Sequence, residues 1–239
     1  MRKLAAMQPI RLALLLALVL SFAACGGGDD EAAVTTPPVT TAAESTPDLE
    51  TGETKTTECE IVEAPEAKPD GGAEAPEGKL DAGTTYRLVV ETNCGSFTMA
   101  LNQKTAPNTA ASLVALARHG FFDGGVFHRV VPGFVIQGGD PTGTGTGGPG
   151  YKTVDVPPPD AQYVQGVVAM AKSGVEPPGT SGSQFFVVTG PDAQLPPEYA
   201  VVGKVADGLE TVLKIDALGV GDGPPSTPVV IEKVTVEES

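Results

Sequence analysis

Short apolar and alternating runs follow one another along the last two thirds of the chain, and they predict strands. Residues 86–92 alternate, turn through residues 93–95 and continue at residues 97–101, which predicts a hairpin. Further runs predict strands at residues 127–131, 134–137, 166–171, 184–189, 200–205 and 228–236. Apolar residues at helical spacing predict two helices, at residues 107–118 with Pro107 in the first turn and at residues 209–218. Many short strands with two helices favour a closed barrel, because closure removes exposed edges.

Two stretches carry polar residues inside otherwise apolar strands. Residues 126–140 read VFHRVVPGFVIQGGD, two short strands separated by Pro132-Gly133, a pair that commonly forms a tight turn. Residues 183–188 read SQFFVV. Together they resemble the active-site strands of the cyclophilin family of peptidyl-prolyl isomerases, whose signatures are F-H-R-x-x-P-x-F-x-x-Q-G-G-D and G-S-Q-F-F. The resemblance covers residues 84–236 and implies a mainly β fold, a closed eight-stranded antiparallel barrel with a helix capping each end.

The resemblance also implies an enzyme, a peptidyl-prolyl cis–trans isomerase. Rotation about an X-Pro peptide bond makes and breaks no bond, so the reaction needs neither nucleophile, metal nor cofactor. It needs an apolar pocket for the proline ring and a donor that bonds better to the twisted amide than to the planar one. The implied catalytic residues are Arg129, Phe134 and Gln137. The implied peptide-binding residues are Val135, Ala171, Lys172, Gln184, Phe186, Leu195 and Tyr199.

Each of these residues also has an ordinary structural interpretation. Arg129 could form a structural salt bridge, Gln137 could cap a strand edge, and single apolar residues are more often core than site. His128 neighbours Arg129, but alternation along a strand points it to the opposite face, so we interpret it as structural. Lys172 adds a positive charge near the groove, which favours substrates with acidic flanking residues. Gln194 stands where many eukaryotic relatives have a Trp that helps to hold cyclosporin, which predicts weakened binding of that inhibitor.

Residues 1–25 predict a signal peptide and export. Three basic residues precede an apolar run over residues 12–20, which is shorter than the ~20 residues that a membrane-spanning helix needs. The run ends in SFAAC (residues 21–25), which resembles a bacterial lipoprotein box. Cys25 would then become the lipidated first residue of the mature chain, anchored to the outer face of the cell membrane. Phe22 departs from the usual Leu, so ordinary cleavage near Ala23 is the alternative.

Residues 26–80 are rich in Thr, Pro, Glu, Ala and Gly, and they carry 14 acidic and three basic side chains. Such a segment cannot bury enough apolar surface to offset its ordering entropy, which predicts a disordered tether before a domain at residues 81–239. The formal charge of the chain is −15, and the absence of a basic patch in the sequence argues against nucleic-acid binding. The glycine-rich residues 143–148 predict a tight surface loop beside the groove.

Two cysteines remain besides the predicted lipidation site, Cys59 and Cys94. In an exported chain they predict a disulfide, which would close a loop of about 35 residues and stabilise the fold by about 3–4 kcal/mol. Two free cysteines are the alternative, and metal binding is not expected because no His or Cys stands at ligand spacing. The predicted partners are proline-containing peptides and unfolded exported proteins, and a monomer is expected. The alternative function is a non-catalytic module or chaperone that binds proline-containing segments at the cell surface.

Overall fold

The computed structural model describes residues 58–239, in which eleven strands and two helices form. The strands are β1 Tyr86–Thr92, β2 Gly95–Leu101, β3 Gly125–Val126, β4 Arg129–Val131, β5 Val135–Gly138, β6 Thr153–Val154, β7 Val167–Met170, β8 Thr180–Ser181, β9 Phe185–Val188, β10 Val201–Asp207 and β11 Val230–Glu238. The helices are α1 Pro107–Arg118 and α2 Leu209–Asp216. The predicted signal peptide, Cys25 and tether residues 26–57 lie outside the described residues. No helix between residues 58 and 239 is long and apolar enough to cross a membrane.

Nine of the strands form one antiparallel sheet in the order β3-β11-β1-β2-β10-β7-β9-β5-β4, and β6 pairs with β8 in a small second sheet. The two end strands, β3 and β4, are separated along the chain only by Phe127 and His128. The two ends of the sheet are therefore one stretch of chain, and the sheet curls back on itself. With β3 and β4 counted as one interrupted strand, the sheet has eight strands, so the predicted antiparallel barrel with two helices is confirmed.

The central strands are apolar on both faces because each face packs against a different cluster. In β9, Phe185 and Val187 belong to the main core, which also contains residues from both helices. Phe186 and Val188 belong to a second cluster on the opposite face. Strands β5 and β7 divide in the same way. Burial of both faces explains why these strands appear in the sequence as continuous apolar runs instead of alternating ones.

Both helices form where the sequence predicts them. Helix α1 has the predicted bounds, with Pro107 in its first turn, and the N–H of Thr109 donates to a carboxylate oxygen of Asp155 at 2.6 Å. Asp155 comes from the loop after β6 and places a negative charge at the positive end of the helix dipole. Helix α2 begins after Gly208, whose φ is +76°, and ends at Asp216, two residues before the predicted end.

Residues 58–80, which we call the strap, lie against the domain, so the predicted disorder does not hold for them. A disulfide joins Cys59 to Cys94, with the sulfur atoms 2.09 Å apart. The N–H groups of Lys68, Gly71 and Ala73 donate to backbone carbonyls in residues 141–149 at 2.8–3.0 Å. Composition shows only how little apolar surface a segment can bury. It does not reveal a covalent link or a run of backbone hydrogen bonds, and these hold the strap.

Candidate active site

A cavity of about 240 Å³ opens beside the second apolar cluster. Nine of the ten residues that were predicted to be catalytic or peptide-binding line it: Arg129, Phe134, Val135, Gln137, Ala171, Lys172, Phe186, Leu195 and Tyr199. Its volume suits a single small ring and is below that of pockets for drug-sized ligands. Residues that are scattered over 71 positions of the sequence therefore lie around one cavity.

A larger cavity, of about 380 Å³, lies between strap residues 75–79 and the chain around β6, residues 151–154. It contains none of the predicted residues, and charged or polar side chains make up much of its lining. The smaller cavity combines an apolar aromatic floor with one guanidinium. It is therefore the candidate site, despite its smaller volume.

Strand register brings residues of the two motifs together. Arg129 on β4 pairs directly with Gln137 on β5, and Gln137 pairs with Phe186 on β9. Cross-strand partners point to the same face of a sheet, with Cβ atoms about 4.5–5.5 Å apart. Val135 shares that face because it precedes Gln137 by two residues. Residues from both sequence motifs thus form one continuous surface.

The turn between β4 and β5 sets the position of Phe134. Gly133 has a φ of +68°, a backbone conformation that favours glycine. Its N–H donates to the carboxylate of Asp216, at the end of α2, at 3.1 Å. The hydroxyl of Thr189, which follows β9, donates to the same carboxylate at 2.6 Å. Asp216 therefore ties this turn to α2 and to β9.

An aromatic cluster supports the floor of the cavity. The rings of Phe186 and Tyr199 meet edge to face with centroids 5.7 Å apart, and Tyr163 meets Tyr199 at 6.0 Å. The buried hydroxyl of Tyr163 donates to the carbonyl of Tyr199 at 2.7 Å and accepts from its N–H at 3.0 Å. Burial raises the pKa of Tyr163. Sequence reasoning missed this residue, whose only signal was a tyrosine in a proline-rich loop.

Arg129 is held by three hydrogen bonds that leave part of its guanidinium free. Its Nε and Nη2 donate to the carboxylate of Asp222 at 2.5 and 3.1 Å, and its Nη1 donates to Oε1 of Gln137 at 3.3 Å. A guanidinium has five N–H groups, so one on each Nη is left for a substrate. The guanidinium carbon also lies 5.9 Å from the centre of the Phe134 ring, within cation–π range. The structural salt bridge considered as an alternative does form, and Arg129 still lines the cavity.

Sequence reasoning missed Asp222. It lies in the loop between α2 and β11, 93 residues after Arg129, and its side chain is 68 % exposed. The hydrogen bond and the charge of Arg129 hold the pKa of Asp222 below its usual value, so its carboxylate is ionised at neutral pH. No motif marks an aspartate in a glycine- and proline-rich loop. Only a search for a partner of Arg129 would have pointed to it.

Gln184, the one predicted residue outside the cavity lining, continues the hydrogen-bond chain from the site. Nε2 of Gln137 donates to Oε1 of Gln184 at 3.0 Å. Nε2 of Gln184 donates in turn to the carbonyl of Gly147 at 2.9 Å. Both amides are therefore oriented by their partners, and Oε1 of Gln137 faces Arg129 because its Nε2 is engaged.

Residues 140–150, which we call the glycine loop, are organised around Asp140. Its carboxylate accepts from the N–H groups of Thr142, Gly145 and Gly147 at 2.8, 2.6 and 3.1 Å. Burial alone would raise the pKa of Asp140, but these hydrogen bonds bring it below its usual value. The loop supports Gln184 through the carbonyl of Gly147. Within residues 58–239 no cluster of His, Cys, Asp or Glu could hold a metal ion.

Lys172 lines the cavity, but its charge is not available to a substrate. Its side chain is only 2 % exposed, and Nζ lies 3.0 Å from a carboxylate oxygen of Glu198. Nζ also donates to the carbonyl of Glu176 at 3.2 Å and lies 5.4 Å from the centre of the Tyr199 ring. The expected preference for acidic flanking residues therefore has no basis in this structure, because the ammonium is already paired.

His128 does not line the cavity. Both ring nitrogens are buried and have no hydrogen-bond partner among the described residues. Burial is the main reason why the pKa of His128 is lowered; the Asp140 charge raises it and the Arg129 charge lowers it. The ring is therefore neutral at pH 7, and its position agrees with a structural role.

Comparison with known proteins relates the chain to one family. The family model described as "Cyclophilin type peptidyl-prolyl cis-trans isomerase/CLD" matches residues 87–236. Peptidyl-prolyl cis-trans isomerase A of Mycobacterium tuberculosis is 40 % identical over 172 residues, which cover 64 % of this chain and 92 % of that protein. The probable peptidyl-prolyl cis-trans isomerase A of Mycobacterium leprae is 40 % identical over 167 residues, which cover 62 % of this chain and 90 % of that protein.

Solved structures show the same fold. The cyclophilin-type isomerase of Cryptosporidium parvum is 31 % identical, with a TM-score of 0.59, and the match covers 64 % of this chain and 98 % of that one. A structure of that isomerase in the presence of the dipeptide Ala-Pro is 32 % identical, again with a TM-score of 0.59. This match covers 63 % of this chain and 98 % of that one. The family match spans both motifs and all of the barrel except the first residue of β1 and the last two residues of β11. This chain therefore belongs to the cyclophilin family, and it is a peptidyl-prolyl cis–trans isomerase.

Proposed function

We propose that this isomerase assists the folding of exported proteins, and that Arg129 lowers the barrier by bonding to the twisted X-Pro amide. The observation that carries the mechanism is one guanidinium, held by Asp222 and Gln137, with N–H groups left free beside an apolar cavity of about 240 Å³. The cavity has room for a proline ring. No group in the mechanism needs to gain or lose a proton.

Isomerisation is accelerated because the site binds the twisted X-Pro amide more strongly than the planar one. The planar amide resists rotation with a barrier of ~18–20 kcal/mol, and twisting returns a lone pair to the prolyl nitrogen. A donor aimed at that nitrogen bonds more strongly in the transition state than in the ground state, which is the condition for raising kcat. One charge-assisted hydrogen bond of ~1.5–3 kcal/mol, made only in the transition state, raises the rate roughly ten- to a hundredfold. Removal of water and binding of the flanking peptide supply the remainder.

The other predicted residues would hold the peptide. Phe134, Phe186 and Leu195 offer apolar contact to the proline ring, and Gln137 can donate the second N–H of its Nε2 to a peptide carbonyl while the first stays bonded to Gln184. The N–H of Ala171 is engaged by the carbonyl of Gln184 at 2.9 Å, so Ala171 offers a peptide its carbonyl. A proline-containing ligand in this groove is consistent with the related isomerase that was solved in the presence of Ala-Pro.

Site assignment is tested by a protease-coupled assay on an Ala-Pro-Phe anilide peptide, with the chain that begins at residue 26. Arg129→Gln should lower kcat ten- to a hundredfold and change the peptide Kd much less. Arg118→Gln is the matched control, because Arg118 is an exposed arginine that pairs with Glu238 on the surface. Equal losses of kcat and affinity in Arg129→Gln would contradict the mechanism. A wild-type rate at background would leave only a role in binding proline-containing segments.

Export and lipid anchoring are the second part of the proposal. They are supported by the signal-like residues 1–25, by Cys25, and by the Cys59–Cys94 disulfide, since such bonds persist in oxidising compartments. The mass of the mature N-terminus is the test. A chain that begins at Cys25 with attached lipid would support anchoring, and an unlipidated chain that begins near residue 23 would support free export. A chain that retains residue 1 would contradict both.

A further inference from the structure

The hydrogen-bond chain of the active site ends in the glycine loop. It runs from Arg129 through Gln137 and Gln184 to the carbonyl of Gly147, with distances of 3.3, 3.0 and 2.9 Å. Each amide in this chain has its orientation set by the next acceptor. The position of the Gly147 carbonyl therefore determines how Gln184 and Gln137 are presented to Arg129.

The strap binds the glycine loop at the residue next to Gly147. The N–H of Gly148 donates to Oδ1 of Asp70 at 2.8 Å, and the carbonyl of Gly148 accepts from the N–H of Gly71 at 2.9 Å. Two successive strap residues thus engage both polar backbone groups of one loop residue. The loop and the strap also approach closely at Gly150, where a Cβ would lie 3.2 Å from Cα of Gly71.

The strap cannot drift away from this contact, because it is anchored at other points. The Cys59–Cys94 disulfide fixes its first residues to the hairpin of β1 and β2. The ammonium of Lys68 donates to the carbonyls of Gly120 and Phe121 at 3.3 and 2.9 Å. The inner side of the glycine loop is held by Asp140 and its outer side by the strap, so the Gly147 carbonyl is held from both sides.

We infer that the strap is a positioning element of the active site and that Asp70 is its positioning residue. By holding Gly148, Asp70 keeps the Gly147 carbonyl where Gln184 needs it. The segment that leads from the predicted membrane anchor therefore tunes the isomerase site as well as carrying it. This inference rests on the proposed role of Arg129, because the hydrogen-bond chain matters for catalysis only if it orients that side chain.

The test compares three substitutions in the chain that begins at residue 26. Asp70→Ala removes the acceptor of the Gly148 N–H, and Asp70→Asn restores an oxygen at the same position. Glu74→Ala is the matched control, because Glu74 is an exposed strap carboxylate whose side chain makes no hydrogen bond to another described residue. Two readouts are used: kcat/KM in the protease-coupled assay, and the NMR signal of the Gln184 side-chain amide. The side-chain amide of Gln165 is the internal reference, because it donates to the carbonyl of Thr189 at 2.7 Å and contacts neither the strap nor the glycine loop.

We expect Asp70→Ala to lower kcat/KM about three- to tenfold, the effect of one hydrogen bond, and to shift the Gln184 amide signal. Asp70→Asn and Glu74→Ala should stay within about twofold of wild type with unchanged signals. The inference is overturned if Asp70→Ala matches Glu74→Ala in both readouts. It is also overturned if activity and melting temperature fall together while the Gln184 signal stays fixed, since that is a general loss of stability. If the wild type is inactive, the proposed function fails, and the Gln184 signal alone still decides whether the strap positions the loop.

Discussion

Replacing Asp222 by Asn tests whether Arg129 works because it is held. Asp222 accepts from both Nε and Nη2 of Arg129, the two-point geometry that fixes the plane of a guanidinium. Asparagine has one oxygen and no charge, so one bond is lost and the guanidinium can rotate. The Asp222 side chain is 68 % exposed, and water therefore screens most of the charge interaction. We expect kcat to fall about two- to fivefold, well below the ten- to hundredfold expected for loss of the guanidinium itself.

The same ion pair predicts the acid side of the pH profile. The hydrogen bond and the charge of Arg129 hold the pKa of Asp222 below its usual value of 3.8. A carboxylate with a lowered folded-state pKa contributes fully above its unfolded pKa, and its contribution is lost as the pH falls through the folded value. Activity should therefore be flat across the neutral range and fall only in strong acid. Asp222→Asn should abolish that part of the profile, because asparagine does not titrate.

The measurement is kcat by the protease-coupled assay at neutral pH and by NMR exchange spectroscopy on a proline peptide in acid, where the protease fails. Asp207→Asn is the control, since Asp207 is an exposed aspartate at the end of β10 that makes no side-chain bond to Arg129. An unchanged or raised kcat in Asp222→Asn would refute the argument. It would mean that the carboxylate shields the guanidinium from the substrate instead of aiming it.

Four further predictions follow from single features. Cys59→Ser with Cys94→Ser should lower the free energy of unfolding by about 3–4 kcal/mol in a urea titration, the loop-closure value for a 35-residue separation, and an unchanged midpoint would contradict it. Burial lowers the pKa of His128, so the neutral ring contributes fully to stability above the unfolded-state pKa of 6.5, and this contribution is lost as the pH falls. The melting temperature of the wild type should therefore drop more between pH ~7 and ~5 than that of His128→Phe. Parallel pH profiles of the two proteins would count against this. Tyr163→Phe removes the hydroxyl that binds the backbone of Tyr199 in the pocket wall, and it should raise KM about fivefold with kcat retained. A fall in kcat at an unchanged KM would contradict this prediction. Cyclosporin should inhibit weakly, since Gln194 is exposed with a φ of +51° and offers no aromatic plane, and Gln194→Trp should strengthen inhibition unless the residue plays no part.

The residues of the two motifs could be predicted from the sequence, because each motif is contiguous along the chain. Arg129, Phe134 and Gln137 occur within nine residues, and nine of the ten predicted residues meet in one cavity. Asp222 and Tyr163 could not be predicted, because each comes from an irregular loop and binds a residue that is distant in the sequence. The charge of Lys172 was misjudged for the same reason, since its partner Glu198 stands 26 residues further on.

For the strap, the rule that a segment poor in apolar residues is disordered left out the covalent and polar contacts that hold it. Few large apolar residues in residues 58–80 do mean little hydrophobic stabilisation. Order here comes from one disulfide, a buried part of the Lys68 side chain and backbone pairing with another glycine-rich segment. Such pairing depends on the partner segment, residues 141–149, and no property of the strap alone encodes it.

The first motif contains residues that line the cavity and also glycines that allow neighbouring backbone segments to approach. Gly139 has a φ of +84°, and a Cβ there would lie 2.4 Å from the carbonyl of Ser183, at the start of the second motif. A glycine at position 139 therefore allows the chain after β5 to approach the chain before β9, two strands in which Gln137 pairs with Phe186. Arg129 is aimed by register first, because its own strand pairs with β5, and by Asp222 second. A substitution that shifts the strand register should therefore abolish activity, whereas a substitution in a loop such as that of Asp222 should lower it only in part.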